Sequence, residues 1–165
     1  MKIKVLTVFL VLIASALFFS CRAENKQVAV FAFTTAQGVP SDIAQRARGM
    51  VIEGIARRNS IVIDSSSVDE KVTEISAVTT ADFIRVGSLL KSKIIIVGNI
   101  ETASRDILER FADSIRGNTW YRIELTFIDV ANGTTLATLN ASYDTRLIGL
   151  DRNARRQIRK IQREE

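Results

Sequence analysis

The stretch Trp120–Asp144, WYRIELTFIDVANGTTLATLNASYD, decides the fold. Apolar and polar residues alternate on either side of Asn132-Gly133, the pattern of two antiparallel strands around a tight turn. Two registers compete. A two-residue loop sets Phe127 against Thr138 and Leu125 against Asn140, apolar against polar. A three-residue loop Ala131-Asn132-Gly133, with Gly133 left-handed, sets Phe127 against Ala137, Leu125 against Leu139, Ile123 against Ala141 and Tyr121 against Tyr143. The second register gathers every apolar partner on one face, and a slip of one residue would turn that face to water. The three-residue loop is therefore the expectation.

Upstream lie the strands that this hairpin extends. Lys93–Ile100 (KIIIVGNI) is the most apolar run outside the N-terminal segment, and Gln27–Phe33 (QVAVFAF) is apolar on both alternations. Strands with two apolar faces are central and covered above and below. Ser60–Asp64 (SIVID) reads as a short further strand.

Helical periodicity fills the gaps. Ser41 is placed to cap a helix running to about Arg58, with Ile43, Ala47, Met50, Val51, Gly54 and Ile55 on one stripe. Gly54 is expected to let that helix approach the sheet. Arg46, Arg48, Arg57 and Arg58 fall outside the stripe and read as a solvated face. Ser67-Val68-Asp69-Glu70 has capping-box spacing and Val68, Val72 and Ile75 inward; Thr79-Thr80-Ala81-Asp82 repeats the device ahead of Phe83, Val86, Gly87 and Leu90. Glu101–Asn118 is polar and ambiguous, with a helical turn at Ile107, Leu108 and Phe111 or an ordered loop as alternatives. The fold class that emerges is α/β. A mixed sheet of about five strands, in the order β-α-β-α-α-β-β-β, is packed by helices over residues 27–145. A C-terminal helix over Asp151–Glu164 presents Leu150, Ala154, Ile158 and Ile161 on one side and is otherwise arginine-rich.

The N-terminal segment is of another kind. Lys2 and Lys4 precede an apolar run of about 15 residues, Val5–Phe19, followed by Ser20 and the single cysteine, Cys21. This is the build of an export signal. As a helix the run spans about 22 Å, short of a bilayer core of about 30 Å, so a permanent membrane span is the weaker reading. A cysteine just after the apolar run and a small residue resembles the lipobox of bacterial lipoproteins. That resemblance implies cleavage after residue 20 and acylation of the Cys21 thiol. Ordinary cleavage that leaves a free thiol is the alternative. Arg22, by the same resemblance, permits transfer to the outer membrane, so the expected location is the bacterial envelope, on the periplasmic face of that membrane. Arg22–Lys26 is then a tether of at most about 18 Å.

Of 165 residues about 145 would remain, enough for one domain. With one cysteine there is no internal disulfide, and with no histidine the commonest general base and metal ligand are missing. The net charge of +5 is uneven: residues 146–165 carry 7 basic and 3 acidic side chains, so +4, whereas residues 21–145 carry 14 and 15, so −1. Arg152, Arg155, Arg156, Arg159, Lys160 and Arg163 are thus candidate contacts for an anionic membrane surface or a partner. The alternative is an apolar stripe docked on the domain with the arginines solvated. An exported location argues against nucleic acid.

Catalytic motifs are missing: no G-x-G-x-x-G, Walker loop, C-x-x-C or H-E-x-x-H occurs, and a Ser-His-Asp triad needs histidine. Ser65-Ser66-Ser67 reads as linker and helix cap. Asp64, Asp69, Glu70 and Glu74 form either a weak oxygen-ligand cation site or helix-start electrostatics. No cofactor, catalytic residue, metal or small-molecule substrate is expected.

Three segments, VAVFAF at Val28–Phe33, GSLLKSKIIIVGNIE at Gly87–Glu101 and FIDVANGTTLAT at Phe127–Thr138, resemble the CsgG-like family. That grouping takes in the curli-secretion lipoprotein and the penicillin-binding-protein activator lipoproteins. The likeness covers about Gln27–Asp144, with departures at Ala32, Ser65 and Lys91-Ser92-Lys93. It implies a non-enzymatic α/β module that works through contacts with itself or with an envelope protein. Glu101–Asn118 is too short and too charged for a membrane hairpin, so a member without a transmembrane barrel is expected. The long tether of the activators is likewise replaced by five residues.

Overall fold

The computed structural model describes residues 27–57, 60–103 and 119–164. Ten elements follow in order: β1 (Gln27–Val30), β2 (Thr34–Thr35), α1 (Ser41–Ala56), β3 (Ile61–Val62), α2 (Ser65–Ile75), α3 (Thr80–Leu89), β4 (Ile94–Thr102), β5 (Trp120–Asp129), β6 (Thr135–Asp144) and α4 (Leu150–Glu164). The sheet runs β3-β1-β4-β5-β6, with β2 also on β4. Pairings among β1, β2, β3 and β4 are parallel; β4–β5 and β5–β6 are antiparallel. This is the expected mixed α/β sheet.

The first strand stops earlier than expected, at Val30, and β2 resumes its line after a break. Val28 faces Ile94 on β4, but Thr34 faces Asn99, so the separation drops from 66 to 65 residues along one line. One extra residue is accommodated between Val30 and Thr34, as in a bulge. The strand expected over Gln27–Phe33 is therefore β1, an irregular step and then β2.

The hairpin register is as read from the sequence. Phe127 faces Ala137, Leu125 faces Leu139, Ile123 faces Ala141 and Tyr121 faces Tyr143. The turn differs in detail. Thr134 accepts from the Asp129 amide at 2.9 Å and Asp129 from the Gly133 amide at 2.9 Å, which closes a four-residue loop, Val130–Gly133. Gly133 is left-handed at φ 71°. A register shift between Phe127 and Ile128 then absorbs one residue of β6 and restores the apolar face.

Alternate residues feed two cores. Val28 and Val30 on β1, Ile94, Ile96 and Ile100 on β4, and the apolar row of β5 pack under α1 and α4. Ala29, Phe31, Ile95 and Ile128 pack under α2 and α3 with Val68 and Val86. Gly54 has a different partner from the one expected. A Cβ there would stand 2.3 Å from the Asp151 carbonyl oxygen, so the missing side chain admits the backbone of α4 rather than the sheet.

Two caps also sit elsewhere than expected. Pro40, extended at φ −61°, ψ 139°, bounds α1, and Ser41 is already helical. Asp64, not Ser67, caps α2: it accepts from the Ser66 and Ser67 amides. This earlier start satisfies two otherwise orphaned donors and draws the serine run into the helix. The Thr79–Asp82 capping box forms as read.

Candidate functional site

Among the described residues no group of three or more His, Cys, Asp or Glu side chains is placed to hold a metal. The acidic cluster around α2 is dispersed instead. The Asp64 carboxyl takes the Ser66 hydroxyl and the two cap amides, which hold its pKa below the ordinary 3.8. Asp69 pairs with Arg48 at 2.7 Å, Glu74 pairs with Lys71, and Glu70 is exposed. A shallow cavity of about 500 Å³ beside the β5–β6 turn is lined by Ser88, Ser92, Lys93 and Asp129 with apolar neighbours. Ser92 there donates its hydroxyl to the Gly87 carbonyl at 3.0 Å.

Arg48 is not part of a solvated face. Its guanidinium donates twice to the Val30 carbonyl, at 3.1 and 2.8 Å, where β1 stops, and its side chain is only 12 % exposed. It ties α1, β1 and α2 together across the break in the strand. Arg46 and Arg57 are solvent-facing, paired with Asp42 at 3.3 Å and with Glu53. Arg58 lies outside the described residues.

Helix α4 has two unlike sides. Leu150, Ala154 and Ile158 are fully buried and Ile161 nearly so, docked against α1 and β6. The opposite side carries Arg152, Arg155, Arg156 and Arg159, which line one open cavity of about 280 Å³. Arg155 is held by Asp151 at 3.3 Å and Lys160 by Glu164 at 3.8 Å, while no acidic side chain among the described residues pairs with Arg152, Arg156, Arg159 or Arg163. The docked stripe fixes the helix that carries these residues. Cys21 and Ile107, Leu108 and Phe111 lie outside the described residues. No helix among the described residues is long and apolar enough to cross a membrane.

One surface escaped the sequence reading. Among the described residues strand β6 is the outer strand of the sheet, ten residues long. From Val130 to Tyr143 it and its turn carry no charge and no proline. Sheet edges are ordinarily blunted by charges, proline or brevity; the opposite edge, β3, has two residues. An uncharged run ending in an outer strand was the signal available.

The fold has solved counterparts. The structure is similar to the LpoB C-terminal domain of Salmonella enterica, with a TM-score of 0.51 at 6 % identity over 72 % of this chain and 82 % of that one. It is similar to lipoprotein GNA1162 of Neisseria meningitidis, at 0.51 and 11 % over 72 % and 79 %. It is also similar to part of TolB of Acinetobacter baumannii, at 0.52 and 10 % over 84 % of this chain and 28 % of that one. At such identities the likeness is one of fold. No family model matches the sequence, and no curated protein matches it.

Proposed function

We propose that the chain is a non-enzymatic protein-interaction module of the bacterial envelope, exported by its first twenty residues and anchored by acylation of Cys21. The observation that carries the interaction role is the β6 edge: among the described residues it is a ten-residue outer strand without charge or proline from Thr135 to Tyr143, the kind of edge to which a second strand adds. The dispersal of the acidic side chains into caps and ion pairs, which leaves no assembled acid–base pair at α2, supports a binding role over a hydrolytic one. Fold likeness to lipoprotein GNA1162 of Neisseria meningitidis supports the envelope setting. It agrees with the resemblance of Val28–Phe33, Gly87–Glu101 and Phe127–Thr138 to the CsgG-like family, and a partner of the kind met by the penicillin-binding-protein activators or a second copy of the chain is the finer expectation.

The test places a photo-crosslinking residue at exposed Thr138 or Asn140 of β6 in the full chain, and at exposed Arg46 of α1 as a control. Irradiation of cells is expected to give one discrete protein adduct from the β6 positions and none from position 46. Absence of an adduct from both β6 positions contradicts the role.

A further inference from the structure

The direction of the strands sorts the molecule into two ends. β1, β3 and β4 run parallel, and β6, two antiparallel steps from β4, runs the same way. Helix α4 returns from the end of β6, so it finishes beside the start of β1. A side-chain bond confirms this: Gln162 donates to the Ser60 hydroxyl at 3.1 Å, and Ser60 precedes Ile61, the partner of Gln27. The end at which the chain arrives from Cys21 is therefore the end at which α4 stops.

That end is basic. Arg57 closes α1, exposed Lys91 precedes β4, and Arg159, Lys160 and Arg163 occupy the last turns of α4. Among the described residues, acidic groups at this end are engaged: Glu53 with Arg57, Glu164 with Lys160, and Asp129 with the Ala131 amide. Arg152, Arg156, Arg159 and Arg163 recur at i, i+4, i+7 and i+11, a row about 16 Å long on one side of the helix. The buried stripe beneath holds this row in place, so little order remains to be acquired on binding a planar array of anions.

We propose that this end of the domain is a membrane contact, in which Arg159 and Arg163 bind the phosphates of anionic phospholipid headgroups. Arginine suits phosphate through its fork of donors. The choice of a bilayer over an acidic protein rests on the anchor proposed at Cys21. A tether of five residues, reaching at most about 18 Å, brings this end and no other against the membrane that holds the lipid. The apolar stripe of α4 is occupied by the core, so the contact is electrostatic and headgroup-deep, without insertion of the helix.

Both cores are built from residues 28–161, so a chain starting at Arg22 keeps them and carries neither signal nor anchor. Its co-sedimentation is measured with vesicles of phosphatidylcholine and of equimolar phosphatidylcholine and phosphatidylglycerol at low salt. Binding is expected only with phosphatidylglycerol, and Arg159→Gln with Arg163→Gln should weaken it on the order of 30-fold. The charge-matched control, Arg46→Gln with Arg122→Gln, removes exposed cations at the opposite end and should leave the affinity nearly unchanged. Circular dichroism checks that both variants fold. No binding by the parent chain, equal binding to both vesicles, or an equal loss in both variants overturns the proposal. Because the assay uses no anchor, its outcome is independent of whether Cys21 is acylated.

Discussion

The two faces of the sheet are held by different means. Among the described residues, the core that the sheet shares with α1 and α4 holds twenty buried residues and the one it shares with α2 and α3 holds seven. At roughly 25 cal/mol per Å² of apolar area removed from water, the first face carries most of the hydrophobic stabilisation. The second leans on polar devices: the Asp64 cap, the Thr79–Asp82 box and the Arg48 tie. The difference separates a rigid platform, which fixes the basic row of α4, from a lighter layer that responds to acid.

Substitutions sharpen that contrast. The largest effect is expected from Ile158→Ala, which opens a cavity where α4 meets the core; urea unfolding should show a loss of about 3 kcal/mol. A loss below about 1 kcal/mol would mean that α4 is not part of the platform. Arg48→Gln strips the Val30 carbonyl of its donors and should cost about 2 kcal/mol. Its amide-exchange signature is expected in both α1 and α2, and a change confined to α1 would break the proposed tie between the layers. Thr79→Ala removes one cap bond of α3 and should cost about 1 kcal/mol, with Thr79→Ser restoring most of it.

The smallest effect is pH-dependent. The Ser66 hydroxyl foremost lowers the pKa of Asp64, and the Thr79 hydroxyl that of Asp82. A folded-state pKa below the unfolded one gives a contribution fully present above the ordinary value of 3.8 and lost as pH falls through the folded value. Amides of α2 and α3 should therefore lose exchange protection in acid before those of α4. Simultaneous loss would remove the distinction between the faces.

Periodicity made the platform legible. The stripes of α1 and α4 and the hairpin register all follow from apolar spacing, because a wrong register exposes a whole face. Competing local choices were less legible. Asp64 and Ser67 are both good caps three residues apart, and the helix takes the one that satisfies more amides. Gly54 announced a close approach but not its partner, since α1 has both the sheet and α4 as neighbours. Arg48 looked solvated because its acceptor is a backbone carbonyl exposed by the irregular step after β1, which no side-chain pattern reports. The basic row was visible from composition alone. Its position beside the start of β1 required the topology.

The proposed anchoring of the domain depends on the chemistry of Cys21. Intact mass spectrometry of the detergent-extracted full-length gene product from an expressing bacterium tests it, with Cys21→Ser as control. The predicted result is a chain beginning at Cys21 and heavier than its sequence by an acylated lipid, a species that the control lacks. A water-soluble chain of unmodified mass, the same with and without the thiol, would contradict it.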